Sequence, residues 1–278
     1  MILDQTLLDA LVATALAAGR VVREVYDGDF AVAHKGDSSP VTLADQRAEE
    51  LILADLTHLL PDVPVVAEES VSAGRAPGAL GARFVLVDPL DGTREFVTRN
   101  GEFTVNIAVI EDGRPVMGVV LAPVLGEIWT GWIGSGARHG RIAGEGAIDW
   151  RAIAVAAPAT SGLRVLASRS HAGAETEALL GRLPVAQRIA AGSSLKFCRL
   201  AEGAADLYPR LGRTMEWDTA AGEAVLTAAG GLVADLDGRP LVYGRSVSEA
   251  DAFANPAFVA ASGEPVLARV LDALSTAR

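Results

Sequence analysis

The sequence predicts a mixed α/β protein, α+β in arrangement, built of layered sheets and helices, and three observations carry that expectation. Short apolar runs suited to strands alternate with helical-period stretches in both halves of the chain. The first half also holds consecutive strand-like runs joined by tight-turn residues, the pattern of an antiparallel meander. With 278 residues, half of them apolar and 21% charged, the chain can form one large domain or two that share an interface.

In chain order, residues 4–26 place Leu7, Leu8, Leu11, Val12, Leu16, Val21, Val22 and Val25 at helical spacing and predict a long amphipathic helix. Residues 35–40, Lys-Gly-Asp-Ser-Ser-Pro, read as a loop. Thr42 starts a second helix over about 42–60, which Pro61 ends. Residues 63–67 and 83–87 read as short buried strands that run directly into acidic residues. Between them, 70–81 is rich in Gly, Ala and Pro and reads as an exposed connection. Strands at 103–110, 115–121 and 127–133 form the meander, with Asp112-Gly113 as its first turn, and a Gly-rich segment, 134–146, follows. Small and turn-prone residues cluster at 155–162, which divides the chain into expected halves 1–157 and 158–278. The second half predicts a strand at 163–167, a helix near 173–182, a strand at 185–189 and a helix from about 194. A further helix follows Trp217, Gly230-Gly231 closes it, and 232–235 reads as a strand.

Composition narrows the function classes. The formal net charge of −11 argues against a broad surface for a nucleic-acid polymer, which needs clustered Lys and Arg. A small phosphorylated substrate stays open, because bound cations can invert the local field. The single cysteine, Cys198, lies in an apolar helical pattern and reads as a buried structural thiol. Asp4 and Asp9 flank the first apolar residues, the first basic residue is Arg20, and no run approaches the ~20 apolar residues of a membrane span. A cytoplasmic protein without an integral membrane segment is expected.

Four acidic motifs stand out, and each alone has a structural explanation. Thr42-x-x-Asp45 fits a capping box, Glu68-Glu69 a solvated strand end, Asp88-Pro89-Leu90-Asp91-Gly92-Thr93 a turn, and Asp218 a helix N-cap. Together they suggest more. Glu68 and Asp88 each follow an apolar strand, and Asp91 can turn toward the same point across a proline. Five carboxylates crowded together would repel one another unless cations lay among them. Hard oxygen ligands suit Mg²⁺ or Ca²⁺, while the four His residues (34, 58, 139 and 171) show no metal-ligand spacing.

Glu68-Glu69, Asp88-Pro89-Leu90-Asp91-Gly92-Thr93 and Trp217-Asp218, followed by eleven residues and then Gly230-Gly231, resemble the signature of the lithium-sensitive, metal-dependent inositol-monophosphatase-like superfamily. The similarity runs from about Lys35 to Phe258. Segments 94–106, 168–171, 192–198 and 207–210 are similar to its bisphosphate-nucleotidase (CysQ-type) branch, which belongs to sulfur metabolism. Ala67 departs from the Gly that many relatives carry before the acidic pair, yet leaves both carboxylates in place.

The resemblance implies an α/β/α/β/α layered sugar-phosphatase sandwich with the active site between its halves. It implies that Glu68, Asp88, Asp91, Asp218 and the Leu90 carbonyl bind two or three Mg²⁺ ions, and that Asp45, Glu68 and Thr93 position and deprotonate a nucleophilic water. Glu68, Leu90, Asp91, Gly92, Thr93 and Asp218 would meet the reacting phosphate, and His171, Ser193, Ser194, Lys196 and Arg210 the nucleotide side. Gly192-Ser193-Ser194 opens a helix that either receives an anion or ribose oxygen or is simply capped by Ser. The implied reaction removes the 3′-phosphate of adenosine 3′,5′-bisphosphate, or of its 5′-phosphosulfate analogue, in a monomer or homodimer. Inositol- or fructose-phosphate hydrolysis on the same metals is the alternative within the class. A silent phosphate-binding regulatory protein is the alternative outside it.

Overall fold

The computed structural model describes residues 3–28, 32–34, 40–143, 147–157, 161–168, 173–245 and 252–275. Helix α1 (Gln5–Asp27) starts where the Asp4 carboxylate accepts the Leu7 N–H at 2.9 Å. Its apolar stripe packs on α2 (Leu43–Leu59) and on the sheet beneath. By length and composition α1 is apolar enough to cross a membrane, but Leu11, Ala15, Ala18 and Val22 are fully buried within the protein. Between the two helices, β1 (Val32–His34) and β2 (Pro40–Thr42) form an antiparallel pair.

The first large sheet is formed by β3 (Val65–Ala67), β4 (Arg83–Asp91), β5 (Thr104–Glu111), β6 (Arg114–Ala122), β7 (Glu127–Trp132), β8 (Gly136–Ile142) and β9 (Ile148–Ile153) in that order. Only β3 and β4 run parallel; the other pairs form the meander. Two short helices leave its edge, α3 (Glu68–Ser72) after β3 and α4 (Thr93–Val97) after β4. The second half supplies β10 (Leu163–Ser168), α5 (Ala174–Leu180), β11 (Val185–Ala191), α6 (Leu195–Ala201), β12 (Leu207–Arg210), α7 (Glu216–Ala228), β13 (Leu232–Asp235), β14 (Phe258–Ala261) and α8 (Glu264–Ser275). Its five strands order as β11-β10-β12-β14-β13.

Three apolar clusters define the layers. One joins α1 and α2 to a face of the seven-stranded sheet. The second holds α6 and α7 between the other face and the five-stranded sheet, through Trp129, Phe197, Val225 and Phe258. The third covers the far face of that sheet with α5 and α8. This is the expected α/β/α/β/α sandwich. Each large sheet lies within one of the halves 1–157 and 158–278, while α7 of the second packs on β5, β6 and β7 of the first.

The sequence reading is corrected at several elements. The Gly-rich segment 134–146 contains β8, and β9 follows it. Its glycines mark different things. Gly134 in the turn and Gly136 at the first position of β8 take positive φ, whereas Gly140 lies inside the strand, under Ile148 and Trp150. The first turn of the 70–81 connection is helical, and β12, β14 and α8 were not foreseen as elements. Cys198 is buried, and burial pushes its thiol well above the usual range, consistent with a structural residue.

Contact between α7 and the sheet depends on glycine. A Cβ at Gly131 would lie 2.4 Å from Val225 Cα and 2.5 Å from the Ala224 carbonyl, backbone atoms that no rotamer change can move. Gly131→Ala should therefore destabilise the protein by about 2–3 kcal/mol, the upper range for overpacking. Gly78→Ala, with open space at its Cβ, should cost nothing. Urea midpoints of the two variants test this, and equal midpoints would show that α7 can shift freely on the sheet.

Candidate functional site

The site begins with an irregularity in β4. Asp88 pairs with Asn106 and Asp91 with Thr104, so three steps along β4 oppose two along β5. Side chains three residues apart in a regular strand face opposite ways; the extra residue of this bulge returns both aspartates to one side. Pro89 fits here because β3 pairs only as far as Val87, so no ladder needs its missing N–H. Leu90 N–H donates to Asp88 Oδ1 at 3.0 Å and fixes that carboxylate. Gly92 then adopts φ +92, a region open to glycine, and turns the chain into α4.

The third carboxylate comes from the other half. Asp218 stands in the first turn of α7, where its Oδ2 accepts the Met215 N–H at 2.8 Å. Asp88, Asp91 and Asp218 each offer an oxygen within 4.8 Å of the others. Glu68, the first residue of α3, lines the same cleft. Behind it the buried Glu49 carboxylate accepts both the Glu69 N–H and the Ser70 hydroxyl at 2.7 Å, which anchors α3. Burial, with the charges of Asp91 and then Glu68, holds the Asp218 carboxyl well above its ordinary range. Crowded, all-oxygen donors of this kind fit a hard divalent cation, whose charge would relieve the repulsion.

Beside the carboxylates, Thr93 Oγ1 lies 3.5 Å from Asp45 Oδ1 and 3.4 Å from the Leu90 carbonyl. Asp45 is buried in the first turn of α2. The two residues are 48 apart in sequence and meet only because β4 ends against the start of α2.

Across a cleft of about 240 Å³ stand Ser193, Lys196, Tyr208 and Arg210. Lys196 is 6% exposed, and its ammonium donates to the Ser193 carbonyl at 2.7 Å and the Ala191 carbonyl at 3.4 Å. It also sits 5.3 Å over the Tyr208 ring. Burial lowers its pKa to about 8, against the opposing pull of Asp91, so it is mostly charged at neutral pH. Arg210 donates from Nη2 to the Arg213 carbonyl at 3.2 Å, while its Nε is buried with no hydrogen-bond partner among the described residues.

Most of the sequence-predicted residues meet in this one region, with two differences. His171 falls outside the described residues. Ser194, expected on the nucleotide side, is 1% exposed and turned inward: its N–H and hydroxyl reach Asp91 Oδ2 at 2.7 and 3.0 Å. The anion received at the start of α6 is thus the chain's own carboxylate. Sequence reading missed Glu49, Tyr208, Thr104 and Asn106. The last two had a usable signal, as polar residues two apart at the start of a strand that is apolar from Ile107 to Ile110.

The sequence model of the inositol monophosphatase family matches residues 3–267. The 3′(2′),5′-bisphosphate nucleotidase CysQ of Escherichia coli (strain K12) is 45% identical over 256 residues, 91% of this chain and 98% of that protein. Among solved structures, CysQ from Bacteroides thetaiotaomicron superposes with a TM-score of 0.75 at 35% identity, covering 94% of this chain and 99% of that one. An inositol monophosphatase from Zymomonas mobilis superposes at 0.77 with 25% identity, covering 99% and 100%.

Proposed function

The chain belongs to the inositol monophosphatase family, and on that footing we propose that its cleft removes the 3′-phosphate of adenosine 3′,5′-bisphosphate, giving AMP and inorganic phosphate. Glu68, Asp88, Asp91, Asp218 and the Leu90 carbonyl would hold two or three Mg²⁺ ions, which when bound lower the pKa of water and neutralise a departing oxygen. Thr93 and Asp45 orient the attacking water, and Asp45 or Glu68 accepts its proton. Gly92 and Thr93 line the cleft, where their main-chain N–H groups would meet the transferring phosphoryl oxygens.

One observation carries the nucleotidase reading: two cations, Lys196 and Arg210, line the cleft with the carboxylates, and among the described residues the Arg210 guanidinium donates only from Nη2, to the Arg213 carbonyl. A ligand anion would give the remaining guanidinium donors a charge-assisted partner. A second phosphate beyond the scissile one supplies that anion; inositol 1-phosphate has none. The 5′-phosphosulfate analogue would bind in the same way.

A side-by-side kcat/KM comparison at saturating Mg²⁺ tests this. Adenosine 3′,5′-bisphosphate should exceed inositol 1-phosphate by at least ~10²-fold, equivalent to roughly 2.7 kcal/mol. AMP should be a poor substrate. Arg210→Ala should cost the bisphosphate at least ~10-fold more than it costs inositol 1-phosphate. Equal or faster turnover of inositol 1-phosphate by the wild type would overturn the nucleotide assignment and leave the phosphatase standing.

A further inference from the structure

One oxygen of Asp91 is densely bonded. Its Oδ2 accepts the Ser193 hydroxyl at 2.6 Å, the Ser194 N–H at 2.7 Å and the Ser194 hydroxyl at 3.0 Å. All three donors come from the second half of the chain, about a hundred residues away in sequence. They converge because Ser193 has φ 50, an uncommon conformation for a residue with a Cβ, which aims its side chain and the next N–H at a single point. The Lys196 ammonium, bonded to the Ser193 carbonyl at 2.7 Å, supports that conformation.

The donors have their own supports. Asn106 Nδ2 donates to Ser194 Oγ at 3.0 Å, and Thr104 Oγ1 lies 2.6 Å from Ser193 Oγ. With the Ser193 proton directed to the carboxylate, Thr104 is the donor of that pair, and its one proton is shared with Asn106 Oδ1 at 3.0 Å. The one proton of the Ser194 hydroxyl is shared between Asp91 Oδ2 at 3.0 Å and the Asp218 carbonyl at 2.8 Å, so the hydroxyl touches the residues that carry two of the three clustered carboxylates. Asn106 and Thr104 are also the β5 partners of Asp88 and Asp91 across the bulge. The same two strand positions therefore set the spacing of the first-half ligands and hold the serines that reach over from the second.

We propose that Ser194, held by Asn106, is a positioning residue that locks Asp91 with Oδ2 committed to the protein and Oδ1 presented to the cation. It would thereby make cation affinity depend on the docking of the two halves. The inference rests on the metal-site reading above. It differs from a nucleotide-binding role for Ser194, which would leave cation affinity unchanged.

The test is Mg²⁺ binding measured by titration calorimetry and by the Mg²⁺-dependent rise in Tm, with kcat recorded separately at saturating Mg²⁺. Ser194→Ala should weaken Mg²⁺ binding by about 10–100-fold, the loss of one hydrogen bond to a charged group. Its Tm in chelator should stay within a few degrees of wild type. Asn106→Ala should weaken Mg²⁺ binding in the same direction, and the double variant should be no worse than Ser194→Ala alone, because the two act in series. Unchanged Mg²⁺ affinity in Ser194→Ala, or fully additive losses in the cycle, would overturn the proposal. Should Ser194→Ala unfold in chelator, Asn106→Ala decides by the same readout. Failure of the wild-type protein to bind Mg²⁺ would instead remove the metal-site reading beneath it.

Discussion

Asp91→Asn should lower kcat by at least ~10³-fold on any phosphate monoester, about 4 kcal/mol of lost transition-state stabilisation. The reason lies in how the two oxygens of Asp91 are divided. Oδ2 already accepts three donors from Ser193 and Ser194. An amide has only one acceptor oxygen. Turned toward the serines, it leaves an NH₂ facing the cation position; turned the other way, it sets an NH₂ against the Ser194 N–H. Either orientation spoils one side, and the net negative charge of the cluster falls by one. Chelator should abolish wild-type activity to the same degree.

Stability should respond in the opposite sense. In the metal-free protein the Asp218 carboxyl is held above its unfolded value, first by burial and then by its charged neighbours. A raised folded-state pKa contributes stability below the unfolded pKa, and that contribution is lost as pH rises through the folded value. The chelated wild-type protein should therefore gain stability on acidification from neutral pH. Asp91→Asn removes one of the neighbouring charges and should flatten that dependence. Undiminished, chelator-resistant turnover by Asp91→Asn would end the metal mechanism.

The layers were legible in the sequence because each had a period. The stripe from Leu7 to Val25 could only be a half-buried helix, and the turn at Asp112-Gly113 made the meander local. Segments without a period were missed. Strands β8 and β9 lie at an edge of the sheet, where glycines and exposed polar residues interrupt the apolar run. Residue Gly140 looked like a loop residue, yet it is glycine because Ile148 and Trp150 lie across it.

The metal cluster was readable as a motif but not as geometry. Nothing in Asp-Pro-Leu-Asp declares a bulge, since a bulge is defined by the partner strand, here Asn106 and Thr104. The same limit hid the role of Ser194. Its place at the start of α6 suggested a free donor facing an anion, which is what a helix start offers in isolation. Only the bonds of Ser194, just before α6, to the end of β4 and to Asn106 of β5 show that the anion is Asp91. Contacts between distant segments carry no period and leave at most a polar residue in an apolar run.

Thr93→Ala should separate water orientation from cation binding. The Thr93 hydroxyl sits between Asp45 Oδ1 at 3.5 Å and the Leu90 carbonyl at 3.4 Å, both at the outer limit of a direct hydrogen bond. A hydroxyl held so loosely retains freedom to donate to a carboxylate while accepting from a water in the cleft. With Asp45 buried behind it, the pair can align a lone pair of the water and receive its proton. Removing the hydroxyl leaves every carboxylate of the cluster in place, so Mg²⁺ half-saturation should move less than about threefold while kcat falls by about 10²–10⁴-fold. Thr93→Ser, which keeps the hydroxyl and loses only a methyl group, should recover most of that rate. The measurement is kcat as a function of Mg²⁺ concentration for the three proteins on one bisphosphate substrate. Wild-type kcat in Thr93→Ala would reduce Thr93 to a turn residue at the start of α4. A fall in kcat fully restored by excess Mg²⁺ would assign the hydroxyl to the cation instead.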